Sequence, residues 1–126
     1  MTMEKPIILY VDDELSALEA IKMGLEEKGY TILTADSGSK ALEILKTHTP
    51  NLIMTDLRMQ PMNGFEFFEE VRKIEKFAET PLFFLTAVDD FLAQKYGQKL
   101  GVDAYITKPV DLANLHNLIK GKLKGK

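Results

Sequence analysis

The chain contains no cysteine, which removes disulfides, thiol nucleophiles and redox exchange in one step. Histidine is scarce as well. His48 and His116 stand alone, so the usual zinc donor set is missing, and both read as surface residues of helices without a function. No apolar run approaches the ~18 residues that a membrane span needs, and the apolar segment after Pro6 is too short for a secretory signal. These absences predict a cytoplasmic protein with no membrane partner. There is no excess of positive charge either, and a net charge of -3 argues against nucleic acid as a whole-surface partner. What remains is ordinary: 45% hydrophobic and 28% charged residues describe a globular chain rather than a disordered one. Domains cluster at ~100–150 residues, so residues 1–126 are expected to form a single domain. Its core should run from about residue 5 to 121, with a basic tail over 122–126 that frays.

Within that frame, hydrophobic patterning alternates between two periods. Ile7 to Val11 is a continuous apolar run that stops at Asp12-Asp13-Glu14, as expected of an interior strand ending in carboxylates. Leu18, Ile21 and Leu25 then mark one face of a helix closed by Gly29. Tyr30 to Ala35 alternates, which suits an edge strand, and Asp36-Ser37 caps a helix over about residues 38–47 with Ala41, Leu42 and Leu45 inward. Leu52-Ile53-Met54 delivers Thr55-Asp56 to a strand end, and Gln60-Pro61-Met62-Asn63-Gly64 breaks the chain. Phe65, Phe67, Phe68, Val71 and Ile74 give a third helix to about Lys76. Leu82 to Leu85 is a fourth strand ending in Thr86-Ala87, and Asp89-Asp90 starts a fourth helix whose apolar residues are Phe91, Leu92 and Leu100. Gly97 inside it costs ~1 kcal/mol relative to alanine, so this helix is expected to be the least rigid. Val102 to Thr107 is a fifth strand ending at Lys108-Pro109, and Asp111 opens a last helix through Leu112, Leu115 and Ile119.

Five strands alternating with five helices predict an α/β fold: a flavodoxin-like, doubly wound parallel sheet with right-handed crossovers. The most continuously apolar runs, at Ile7, Leu52 and Leu82, belong in the centre. This matches the order 2-1-3-4-5, in which ligands sit beyond the carboxyl ends of the strands.

That topology brings Asp12, Asp13, Asp56, Thr86 and Lys108 to one edge. Alone, Asp56 reads as a turn or capping residue; in company it reads differently. Two carboxylates in contact repel by ~4 kcal/mol at an effective dielectric of ~20, so three of them call for a cation. All-oxygen donors point to Mg²⁺ or Mn²⁺. With Lys108 as a second positive charge, Thr86 as a hydrogen-bond donor and a carboxylate as nucleophile, the site suits a phosphoryl group.

The pieces Val11-Asp12-Asp13-Glu14, Asp36-Ser37-Gly38 with Ala41-Leu42, Asp56-Leu57-Arg58-Met59 with Met62 and Gly64, Thr86-Ala87, and Gly101 through Pro109 together resemble the receiver domain of two-component response regulators, of the chemotaxis-regulator kind. The match spans nearly the whole chain. The resemblance implies that Asp56 accepts a phosphoryl group from a histidine kinase or a histidine phosphotransfer protein, and that the domain is a switch rather than an enzyme, transferring phosphate only onto and off itself. It implies Mg²⁺ held by Asp13 and Asp56, by Asp12 largely through water, and by the backbone carbonyl of Arg58. Thr86 and Tyr105 resemble the switch pair, Lys108 would bridge to the phosphoryl group, and the Lys108-Pro109 bond resembles one that is cis in the family. An output protein or domain would be met by the face of helix four, strand five and helix five, with Tyr105 near Lys95, Tyr96 and Lys99. In the family, the positions that Arg58 and Val88 occupy flank the path of the water that hydrolyses the acyl phosphate; Val88 is expected to obstruct it, while Arg58 would either cover the phosphoryl group or point to solvent.

One position departs from the family pattern, which has proline four residues after the acceptor; here Gln60 stands there and Pro61 follows. An altered loop is expected, with no ligand lost. Two other functions share the features. A haloacid-dehalogenase-type phosphohydrolase also uses Asp, Mg²⁺, Thr and Lys, but it resembles a DxD pattern where this chain has Asp12-Asp13-Glu14. A receiver-like interaction module that is never phosphorylated would have no reason to keep a self-repelling acidic cluster. The sequence stops with the last helix, which is expected to leave it without a DNA-binding or enzymatic output domain, either free-standing or cut from a longer regulator.

Overall fold

The computed structural model describes residues 4–87 and 91–124. Five parallel strands, β1 (Ile7–Val11), β2 (Thr31–Ala35), β3 (Leu52–Thr55), β4 (Leu82–Thr86) and β5 (Ala104–Thr107), form one sheet in the order β2-β1-β3-β4-β5. Helices α1 (Leu15–Glu27), α2 (Gly38–Leu45), α3 (Gly64–Lys73), α4 (Phe91–Leu100) and α5 (Leu112–Lys124) connect them. The expected order and the central placement of β1, β3 and β4 are therefore observed. Every residue of β3 and β4 is buried, whereas β5 is half-buried throughout.

Because side chains alternate across a strand, the sheet divides two cores. Leu9, Val11, Ile53, Leu82 and Phe84 pack with Ala41 and Leu45 of α2 and with Phe67, Phe68 and Val71 of α3. Ile8, Tyr10, Leu52, Met54, Phe83 and Leu85 pack with Leu18, Ile21 and Leu25 of α1 and with Leu115 and Ile119 of α5. Burying a large apolar side chain contributes ~1.5–3 kcal/mol, so these two layers hold the strand ends in register.

The helix starts are chemically marked. Ser37 Oγ accepts from Lys40 N at 3.1 Å. Asn63 and Glu66 form a reciprocal capping box at 2.8 and 2.9 Å, which fixes the segment following Asp56. Asp36, expected to share in capping α2, instead pairs with Lys40 at 3.0 Å. Gly29 (φ +100°) and Gly101 (φ +89°) close α1 and α4 in the left-handed region that only glycine enters freely.

Two elements, α3 and α5, differ from expectation, and α4 shows which of its residues face the sheet. Helix α3 ends at Lys73 rather than near Lys76, because Ile74 turns extended (ψ 113°) and Glu75–Phe77 forms a separate 3-10 turn. Arg72 holds that turn by donating to the carbonyls of Phe77 and Thr80 at 3.0 and 2.8 Å. In α4, Phe91 and Leu92 are 70% and 73% exposed. Gly97 is the buried residue of α4 and faces the sheet; a Cβ there would meet Phe84 and Val102 at 3.4 Å, a close but ordinary contact. Finally, α5 continues to Lys124, and Lys122 reaches Asp103 at 3.2 Å; of the tail expected to fray, residues 125 and 126 lie outside the described residues. Asp103 also accepts from Leu82 N at 2.8 Å, tying α5 to the start of β4. Among the described residues, no helix is long and apolar enough to cross a membrane.

Candidate functional site

The strand ladder itself delivers the polar groups. Asp12 N donates to Ala35 O (3.1 Å), Asp56 N to Val11 O (2.9 Å) and Lys108 N to Thr86 O (2.8 Å), so each site residue is pinned by a backbone bond just past its strand. Asp12, Asp13 and Asp56 come together, with one carboxylate oxygen from each lying within 4.8 Å of the others. Their environments differ: Asp12 is fully buried, Asp56 is 9% exposed and Asp13 faces solvent. Such an all-oxygen, partly open cluster fits a hard divalent cation.

Asp56 is held asymmetrically. Its Oδ1 accepts from Leu57 N at 2.6 Å and, more weakly, from Arg58 N at 3.4 Å, while Oδ2 faces Lys108 Nζ at 3.5 Å. The same ammonium lies 2.6 Å from Asp12 Oδ2. Burial alone would depress Lys108, but the hydrogen bond and charge of Asp12, followed by the charge of Asp56, outweigh it and push the ammonium above its ordinary value. Lys108 is thus positively charged and shared between two carboxylates.

Asp12 carries a further partner that the sequence did not disclose. Tyr10 Oη donates to Asp12 Oδ2 at 2.6 Å, and Glu14 N donates to Oδ1 at 3.0 Å. Asp12 therefore holds the turn onto Glu14, the residue before α1, without capping the helix itself, while also belonging to the acidic cluster. Burial, and then the hydrogen bond and charge of Asp12, push the Tyr10 phenol far up, so it stays protonated and remains a donor. The signal available in the sequence was period two: Tyr10 lies on the same face as Asp12, in an otherwise aliphatic strand.

Thr86 is wholly buried at the end of β4. Tyr105 is half-buried, its ring edge-on to Phe84 with centroids 6.2 Å apart. Phe84 contacts Phe65 (5.3 Å), and Phe65 contacts Tyr96 of α4 (4.9 Å), so an aromatic string joins β5, β4, α3 and α4. Arg58 is exposed on a groove of about 470 Å³ that it lines with Asp13, Met59, Gln60, Phe65 and Ala93. Val88 lies outside the described residues, as do Asp89 and Asp90.

The loop after the acceptor contains the altered proline. Both Gln60-Pro61 and Lys108-Pro109 are cis. Met59 stays buried with Sδ 3.8 Å from Thr55 Oγ1, and Met62 lies against Gly38, so the loop is anchored on both sides of Pro61. Gly64 is fixed by contact: a Cβ would collide with the carbonyl oxygen of Asp56 and lie 2.8 Å from Leu57 Cα. His48 is exposed, as expected of a surface residue. His116 is less so: its ring stands edge-on to Tyr30 at 5.5 Å, and Nδ1 is buried without a hydrogen-bond partner among the described residues.

Comparison with known proteins agrees with this geometry. A family model described as the response regulator receiver domain matches residues 8–120. The transcriptional regulatory protein YvrH of Bacillus subtilis is 38% identical over 123 residues, covering 97% of this chain and 51% of that protein. The alkaline phosphatase synthesis transcriptional regulatory protein PhoP of the same organism is 33% identical, covering 93% and 48%. The chain thus spans about half the length of these relatives. Among solved structures, the chemotaxis protein CheY4 of Vibrio cholerae superposes with a TM-score of 0.88 at 27% identity, covering 93% of this chain and 98% of that one. A CheY-like receiver domain protein of Methanospirillum hungatei does so with a TM-score of 0.88 at 29% identity, covering 96% and 95%. With the family model spanning nearly all of the sheet and its helices, the chain belongs to the response regulator receiver domains, the phosphorylation-activated switches of two-component signalling.

Proposed function

We propose that Asp56 is the phosphoacceptor, taking its phosphoryl group from the histidine of a kinase or phosphotransfer partner. The observation that carries this is the convergence of Asp12, Asp13 and Asp56 within 4.8 Å, with the Lys108 ammonium shared between Asp12 and Asp56. In the transfer, a carboxylate oxygen of Asp56 bonds to phosphorus while the bond from phosphorus to the donor histidine nitrogen breaks. Oδ1 is engaged by Leu57 N, so Oδ2, on the Lys108 side, is the oxygen offered. Lys108 neutralises charge on the phosphoryl oxygens, and Thr86 supplies a hydroxyl at the end of the adjacent strand.

Asp13 and Asp56 would hold Mg²⁺ directly, with Asp12 acting largely through water and the Arg58 carbonyl completing the protein ligands; Mn²⁺ fits the same donors. The bound cation would neutralise the acidic cluster and the charge that develops on the phosphoryl oxygens. Small acyl-phosphate donors would serve in place of the partner, and the domain would otherwise only dephosphorylate itself.

Phosphorylation would bias a two-state equilibrium read at the face of α4, β5 and α5. Thr86 and Tyr105 form the switch pair, coupled to α4 through Phe84 and Phe65. The exposed Phe91, Leu92 and Tyr96 supply apolar surface for an output protein or domain. The relatives that this chain matches over about half their length are named as transcriptional regulatory proteins, which favours an output of that kind. The receiver domain itself, residues 1–126, would act in the cytoplasm without binding nucleic acid. Incubation with acetyl phosphate and Mg²⁺ tests the acceptor: wild type should gain one phosphoryl mass and Asp56→Asn none. Equal labelling of the two would refute it.

A further inference from the structure

Lys108 faces a conflict that the resting geometry makes visible. Its ammonium is 2.6 Å from Asp12 Oδ2 and 3.5 Å from Asp56 Oδ2, and it is the only side-chain cation recorded against either carboxylate among the described residues. A phosphoryl group on Asp56 adds negative oxygens on one side of that ammonium and draws it away from Asp12. Asp12 is fully buried, and a buried carboxylate that loses its counter-charge is strongly disfavoured unless another donor holds the same oxygen. Tyr10 Oη is that donor, at 2.6 Å from Oδ2.

Tyr10 is built not to move. Its residue is fully buried, it lies on an interior strand paired with Thr34 on one side and Met54 on the other, and its ring packs in the core beneath α1 and α5. A phenylalanine would fill the same space, so the hydroxyl is what requires an explanation. We propose that Tyr10 is a positioning residue whose hydroxyl keeps Asp12 in place when Lys108 transfers to the phosphoryl group. This rests on the phosphoacceptor reading of Asp56. It distinguishes two states: without a phosphoryl group Asp12 Oδ2 has two side-chain donors and the hydroxyl is redundant, whereas with one the hydroxyl is the side-chain donor that stays on that oxygen.

The test compares Tyr10→Phe with wild type in two titrations, Mg²⁺ alone and then beryllofluoride, a phosphoryl mimic, at saturating Mg²⁺. Mg²⁺ affinity should change less than about twofold, because Lys108 still holds Asp12, while beryllofluoride affinity should fall roughly tenfold, the scale of one hydrogen bond to a charged group. Equal beryllofluoride affinities in the two proteins would overturn the proposal, and so would equal losses in both titrations, which mark general disruption of Asp12. Wild type that fails to bind beryllofluoride would instead refute the phosphoacceptor reading and this proposal with it. A measurement on the unsubstituted protein guards against a misfolded variant. With 3-fluorotyrosine at its four tyrosines, the resonance left after Tyr30, Tyr96 and Tyr105 are assigned by Phe variants belongs to Tyr10. It should move on adding beryllofluoride and not with Mg²⁺ alone; a resonance indifferent to beryllofluoride would overturn the role.

Discussion

Asp56→Asn should reverse the stability ranking of the two proteins when Mg²⁺ is added. With carboxylate oxygens within 4.8 Å of one another, Asp56 repels Asp12 and Asp13 by about 3.5 kcal/mol each at an effective dielectric of ~20. Its attraction to Lys108 across 3.5 Å returns about 4.7 kcal/mol. The balance favours asparagine by roughly 2 kcal/mol, and solvent screening of the exposed Asp13 reduces this toward zero. Without metal, the variant should therefore be no less stable than wild type and melt up to several degrees higher, at ~3–5 °C per kcal/mol for a domain of this size. Millimolar Mg²⁺ should raise the melting temperature of wild type by mass action and that of the variant far less, closing or inverting the gap. Thermal melts of both proteins in chelator and in Mg²⁺ read this directly. A variant that melts clearly below wild type in chelator would refute the repulsion argument, and wild type indifferent to Mg²⁺ would refute the metal site.

Gly64→Ala should destabilise the domain by ~1–3 kcal/mol in urea unfolding, since the new methyl meets the backbone of Asp56 and Leu57 rather than a yielding side chain, and should slow phosphorylation as Asp56 shifts. His116 is held below its ordinary value by burial, with Lys120 and Lys28 adding to the effect. Between its lowered folded value and the ordinary ~6.5, the unfolded chain binds more protons, so stability present above ~6.5 should decline as pH falls through that window. Denaturation at several pH values should show His116→Leu flattening the decline; an unchanged slope would contradict the assignment. Val88→Glu should accelerate phosphoryl loss several-fold, ~1 kcal/mol in the barrier, in a decay assay after donor removal, and an equal decay rate would remove the water-obstruction argument.

The sheet was legible because its strands are nearly pure signals. Ile7 to Val11, Leu52 to Met54 and Leu82 to Leu85 have no solvent face, so each had to be central, and each ends in a polar residue whose destination follows from a parallel topology. The candidate site residues Asp12, Asp13, Asp56, Thr86 and Lys108 follow from the same logic. Pairings across the site did not. Nothing in the sequence says that Lys108 rests on Asp12, or that a tyrosine within an apolar run spends its hydroxyl on that carboxylate. Helix α3 continues its apolar period through Ile74, and its early end depends on Arg72 reaching the carbonyls of Phe77 and Thr80, contacts that no local pattern encodes. The apolar residues of α4 did not disclose which of its faces meets the sheet: Phe91 and Leu92 are exposed, and Gly97 is the residue turned toward Phe84.

The central claim concerns one oxygen atom's bond to phosphorus, and chemical mapping tests it most directly. Wild type loaded from acetyl phosphate in Mg²⁺, reduced with borohydride and digested, should yield homoserine at position 56 in fragment mass spectra, because the hydride reduces an acyl phosphate and spares a free carboxylate. Reduction found at Asp12 or Asp13 instead, or no reduced residue in a protein that has gained phosphate, would contradict it.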